Sequence, residues 1–320
     1  MKTGTKIWLL IGVLLVVFGL GLFSAAMSAN HWDFTLLSTS EYKTNSHRIS
    51  ETFHSISMET DTADIHFVPS EDGTCRVVCI ESEKSPHTVA VTDGVLTVSV
   101  ADEREWYDYI GIMIEEPKVT VYLPAGEYTD LSIRESTGDV EIPHDFCFSR
   151  MEIVASTGDV DNSASVSGEI KIKTSTGDIR IENVSAGSAA LSVSTGRITA
   201  ASVTCTGGFN LHVSTGKTQL TDVRCGVLTS TGSTGDISLQ NVVATERLSV
   251  ERSTGDIRLE RCDSAELLLK TSTGDVSGSL LSGKKFLTET ETGTVQVPET
   301  VKGGKCEVTT DTGDICFRIG

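Results

Sequence analysis

Ser136-Thr137-Gly138-Asp139-Val140-Glu141-Ile142 decides the reading of this chain, because it returns as Ser156-Thr157-Gly158-Asp159-Val160 and again as Ser175-Thr176-Gly177-Asp178-Ile179-Arg180-Ile181. The Thr-Gly pair recurs with its glycine at Gly138, Gly158, Gly177, Gly196, Gly216, Gly235, Gly255, Gly274, Gly293 and Gly313, at spacings of 20, 19, 19, 20, 19, 20, 19, 19 and 20. A fixed period of this length marks a solenoid. Aspartate follows the glycine in seven copies, while Arg197, Lys217 and Thr294 take that place in the others.

Apolar residues alternate on both sides of the turn. Five positions before the glycine stand Ile133, Ile153, Ile172, Leu191, Leu211, Val250, Leu269 and Val308. Two positions after it stand Val140, Val160, Ile179, Ile198, Ile237, Ile257, Val276, Val295 and Ile315, with Thr218 alone breaking the column. Alternation with period two means strands with one buried face. Each unit therefore reads strand, Ser-Thr-Gly-Asp turn, strand, looser corner. One such unit cannot bury its apolar face alone, but stacked copies can. The expected fold is all-β, a single-stranded β-helix (β-solenoid) of about ten 19–20-residue coils over residues 131–320.

Upstream the pattern changes. Residues 46–130 read as a β-rich N-terminal cap, with longer strands at Cys75–Ile80, Val89–Val91, Leu96–Val100 and Lys118–Pro124 and a hairpin turn at Asp93-Gly94. A degenerate coil is expected at Glu59–Phe67, with Ala63 in the glycine place. The C-terminus has no cap, so the strand Ile315–Ile319 is expected to be a bare pairing edge. Residues 31–45 read as a linker. Residues 1–30 form a cytoplasmic stub and a transmembrane helix: the run 7–27 carries no charge and at ~1.5 Å per residue spans the ~30 Å of a bilayer core. Lys2 and Lys6 precede it, which by the positive-inside rule keeps the N-terminus cytoplasmic and the body outside a single-pass cell-membrane anchor. A cleaved signal ending near Ala26-Met27-Ser28 is the rival reading, although its apolar core would be unusually long.

Aromatic residues make up only 6% of the chain, and its net charge is −18. That charge argues against nucleic acid as a partner. The turn aspartates read as turn chemistry. Calcium is the alternative, opposed by one aspartate per coil and by the basic residues in the column. Ice binding would need outward threonines flanking an inward residue, which Ser-Thr-Gly does not supply. Eight cysteines in an exported body raise the question of disulfides. Cys205 and Cys225 each lie nine residues after their glycine, so they are expected to stack within disulfide range. Cys262 and Cys306 fall in inward columns. No Cys-x-x-Cys pair occurs and the seven histidines are scattered, so neither a metal site nor a cofactor is expected. Glu105-Trp106-Tyr107-Asp108-Tyr109 places three aromatic residues between acids in a loop. Trp106, Tyr107 and Tyr109 are the candidate ligand-binding residues, with a packing flap over the cap as the structural alternative.

From Val119-Thr120-Val121-Tyr122-Leu123-Pro124 through Leu131-Ser132-Ile133 and the run of Thr-Gly coils, residues 48–320 resemble the bacterial "putative adhesin" β-strand-repeat family of unknown function. The resemblance implies a β-helix-like fold and, for members with such an anchor, a cell-envelope location that in some cases accompanies envelope-stress operons. It supplies no catalytic residues. The expected function is a non-catalytic envelope surface module that binds cell-wall glycan or another envelope protein. An accessory to an envelope-stress system and a carbohydrate-active β-helix enzyme are the alternatives.

Overall fold

The computed structural model describes residues 3–32, 42–101, 117–300 and 302–320. Its body is a β-solenoid in which like strands of successive coils pair in parallel. Ile172 in strand Ser165–Thr176 lies between Ile153 and Leu191, and Ile179 in strand Ile179–Glu182 lies between Val160 and Ile198. Residues one repeat apart thus become neighbours across a ladder of ~4.8 Å spacing. The alternation seen in sequence becomes the core: Ile153, Ile172, Ile179, Ile198, Ile237 and Ile257 are fully buried.

The turn needs glycine for two separate reasons. All ten turn glycines have φ between +125° and +155°, where L side chains are strained. In addition, a Cβ on any of them would overlap the carbonyl of the turn residue in the coil beneath; on Gly177 it would strike Gly158 O. The corner on the far side of the coil is as defined as the turn. Asn183, Ser202, Asp222, Asn241 and Arg261, each six residues after its glycine, all have φ between +53° and +57°. Asparagine and aspartate tolerate this left-handed conformation best, so the corner expected to be looser is as regular as the turn.

Both ends of the stack are out of chain order. At the N-terminal end, Ser55–Thr62 and Asp64–Pro69 form the degenerate coil, with Ala63 N–H bonded to Thr137 O at 3.0 Å. That coil pairs inward with Gly126–Thr137 and Val140–Ile142, and outward with Val95–Val100 and Lys118–Leu123. The first coil in sequence therefore sits second from the end. Antiparallel strands close this end: His87–Thr92 on Val95–Val100 through the Asp93-Gly94 turn, and Cys75–Ser82 on Lys118–Leu123, with Tyr42–Ile49 outermost.

At the other end, Gly304–Thr312 pairs with both Ile257–Thr273 and Lys284–Thr292, and Ile315–Ile319 lies between Val276–Leu280 and Val295–Gln296. The expected bare edge at Ile315–Ile319 is thus corrected: the last coil in sequence is inserted one place inward, and the Gly293 coil forms the end. Composition explains the exchange. The inserted coil brings Cys306, Val308, Ile315 and Phe317 to the core, all buried. The Gly293 coil has Thr288 where the two coils inward of it have Val308 and Leu269, and it tolerates solvent better.

Among the described residues one helix, Thr3–Ala29, precedes the body. Its segment Trp8–Ala29 has a mean hydropathy of 2.6, and its most apolar stretch is not buried by the other described residues; it is long and apolar enough to cross a membrane.

Candidate functional site

The repeated turn carries the most acidic side chains, and the structure gives them a task. Asp139 Oδ1 accepts the amide of Asp159 at 2.8 Å, Asp159 Oδ1 that of Asp178 at 2.7 Å, and Asp178 Oδ1 that of Arg197 at 2.7 Å. The same bond joins Asp236 to Asp256, Asp256 to Asp275, Asp275 to Asp314 and Asp314 to Thr294. Asp64 starts the ladder by accepting the Asp139 amide. Each carboxylate therefore satisfies a backbone donor one coil away. Arg197 can take the position because it still donates its amide to Asp178 and gives up only the acceptor; the ladder is then interrupted at Lys217 and resumes with Asp236 as the acceptor of the Asp256 amide.

Trp106, Tyr107 and Tyr109 lie outside the described residues. The described strands on either side of that segment, Val95–Val100 and Lys118–Leu123, pair with the two strands of the degenerate coil.

The cap sheet carries a row of chemistry that the sequence did not reveal. Arg48 is the register partner of Arg76, and Arg76 of Tyr122. The Arg76 guanidinium lies 4.4 Å from the centre of the Tyr122 ring. The three line a cavity of about 330 Å³ walled by Ser70, Asp72 and Thr74. Asp72 does not serve as their counter-ion. Its Oδ1 accepts the Thr74 hydroxyl at 2.7 Å, the Thr74 amide at 3.0 Å and the Ser70 hydroxyl at 2.8 Å. Those bonds, the Thr74 hydroxyl first, hold its carboxyl down at about 2. Among the described residues neither Arg48 nor Arg76 has a carboxylate within ion-pair distance. Like charges directly opposite on neighbouring strands repel, and planar guanidinium forks suit carboxylate, phosphate or sulfate oxygens. An anion held between them would offset the repulsion. The signal was invisible in sequence because the three residues come from three separate strands.

A buried trio lies deeper in the cap. Glu81 Oε2 accepts the His87 amide at 2.6 Å and faces His87 Nδ1 at 2.7 Å, while Glu81 Oε1 accepts Asn45 Nδ2 at 2.5 Å. Cys79, Glu81 and His87 offer ligand atoms within 4.8 Å of one another, a donor set that suits zinc-like ions. Backbone and side-chain donors also span the carboxylate and tie the turn between Ser82 and His87 to Glu81. Burial, then the Glu81 charge, pushes the Cys79 thiol up to about 12. Cys205 and Cys225 continue the register Val203–Val223 and Thr204–Arg224, so they follow one another in the stack as buried free thiols. Burial raises them to about 11 and about 12.

A family model described as Toastrack DUF4097 matches residues 53–221 and 207–319. Among solved structures, a "putative adhesin" from Parabacteroides distasonis aligns with 75% of this chain and 98% of its own at 13% identity, with a TM-score of 0.51. A second "putative adhesin", from Bacteroides fragilis, covers 88% and 99% at 15% identity and a TM-score of 0.45. A "putative lipid binding protein" from Parabacteroides distasonis covers 75% and 95% at 18% identity and a TM-score of 0.47. At such identities the likeness concerns the fold alone. No curated protein matches the chain.

Proposed function

The chain belongs to the Toastrack DUF4097 family, and from that premise we propose that it is a non-catalytic envelope module, anchored by the helix Thr3–Ala29 with its body outside the membrane, that binds an anionic envelope glycan at the cap. One observation carries this reading: in a protein of net charge −18, Arg48 and Arg76 are register partners without a carboxylate within ion-pair distance among the described residues, and they line a cavity with Tyr122. Stacking Arg76 on the ring orients one guanidinium, and the hydroxyls of Ser70 and Thr74 add polar walls. Uronate, phosphate or sulfate groups on a wall polymer fit this chemistry. Trp106, Tyr107 and Tyr109, which lie outside the described residues, are proposed as a second contact with the same polymer, since exposed aromatic residues concentrate at recognition sites.

Binding of the full-length protein in detergent to anionic and neutral wall glycans tests the reading. Arg48→Ala with Arg76→Ala should abolish retention on the anionic polymer, and replacing the three aromatic residues should weaken it. Equal retention of the arginine variant, or shortening of the glycan during incubation, overturns it. The Cys205–Cys225 pairing is a separate proposal for the exported body. Peptide mapping without reductant supports it through a cross-linked pair and excludes it through two free thiols.

A further inference from the structure

The far end of the stack invites a partner of a different kind. Lys284–Thr292 is the outermost strand there, and along Lys285–Glu291 no backbone bond to any strand beyond it is made among the described residues. Among the described residues only its first residue is bonded from outside the stack, where the Thr300 hydroxyl donates to the Lys284 carbonyl. Side chains alternate along the strand: Lys284, Phe286, Thr288 and Thr290 turn toward the core, while Lys285, Leu287, Glu289 and Glu291 are exposed. Leu287 is 56% exposed and Val295 on the same coil 45%. The opposite end differs, because antiparallel strands close it.

The outward row reads basic, apolar, acidic, acidic, so it complements itself when reversed. We propose that this strand pairs antiparallel with the same strand of a second copy of the chain, about a two-fold axis through Leu287. In that register Lys285 stands opposite Glu289 of the second copy, twice by symmetry, and the two Leu287 side chains meet between these pairs. Phe286 falls opposite Thr288, so the half-buried end of one core continues into the other. A two-fold interface needs such a self-complementary patch, and antiparallel pairing places oppositely charged side chains about 5 Å apart between their Cβ atoms. Lys285, Glu289 and Glu291 have no ion pair among the described residues, so all three are available. Glycan at the cap and self-pairing at the far end use opposite ends of the rod, so neither requires the other.

Sedimentation of the full-length protein in detergent tests the proposal with four samples. The native chain should dimerise, more weakly as salt rises. Lys285→Glu and Glu289→Lys should each raise the dimer Kd at least about tenfold, since each sets like charges opposite one another. An equimolar mixture of these two variants should form a heterodimer, because every pair is again of opposite sign; the double variant should self-associate for the same reason. A native chain that stays monomeric overturns the proposal, as does a dimer that neither charge reversal weakens, which would belong to the helix. Glycan retention measured on the same variants should not change, and this separates failure of the pairing from failure of the cap site.

Discussion

Arg252 Nη2 lies 3.1 Å from Thr218 Oγ1 and 2.9 Å from Ser230 Oγ, inside the core and reaching two coils to the first and one to the second. Thr218 is the one break in its apolar column and Ser230 a break in another, so one buried guanidinium accounts for both. Gly232 leaves it room: a Cβ there would stand 3.1 Å from Nη1. Burial pulls the arginine down to about 10, and it stays charged at neutral pH. Thr218→Val removes an acceptor from this group and should cost about 1–3 kcal/mol. In an Arg252→Met background the same change should be neutral or stabilising. A thermal-melt double-mutant cycle checks this, and additive effects would contradict the contact.

The turn glycines give a second contrast. Gly196→Ala meets both a strained φ of +146° and the carbonyl of Gly177. It should therefore cost more than the ~1 kcal/mol of an ordinary glycine replacement, and soluble yield should fall. Gly126→Ala meets nothing within 4 Å and has no positive φ, so it should melt like the native chain. Equal melting of the two variants would mean that the coils do not approach as closely as described.

These cases mark how far the sequence could be read. The columns were legible because every coil places the same residue type in the same row, and the hairpin at Asp93-Gly94 and the Ala63 coil followed from local chemistry. The exceptions carried the missing information. Thr218, Ser230 and Thr288 appear in sequence only as interruptions, since the partner that explains two of them reaches across coils and does not repeat. Stacking order at the ends was not legible either. Coils that share one consensus pair almost equally well with any other, and small differences in apolar content then decide which lies outermost. The Arg48–Arg76–Tyr122 row depends on antiparallel register between distant strands, which periodicity does not report.

The aspartate ladder yields a third prediction. Asp178→Ala takes away the acceptor of the Arg197 amide, which is exposed enough to turn to water. The loss should be modest, about 0.5–1.5 kcal/mol. Asp178→Asn keeps an acceptor oxygen and should recover most of it. Because the bonds close the turn without an ion, a chelator or excess calcium should leave the melting temperature unchanged; a calcium-dependent rise would reassign the ladder as a metal site.

Glu135 sets the pH dependence. Its side chain points inward in the first Thr-Gly coil, where Oε1 accepts the Thr137 amide at 3.1 Å and Oε2 is buried without a partner. Burial pushes the carboxyl up to about 8, whereas in the unfolded chain it titrates near about 4.3. Below about pH 4 both states hold the proton and the group adds no pH dependence. Between about 4.3 and about 8 the unfolded chain has released a proton that the native state keeps, so native stability falls as pH rises, by at most about 1.4 kcal/mol per unit. Glu135→Gln keeps the neutral shape and removes the titration. Its melting temperature should match the native chain at pH 4 and exceed it increasingly toward pH 8. A difference that stays constant across that range would show that the native carboxyl ionises at its ordinary value.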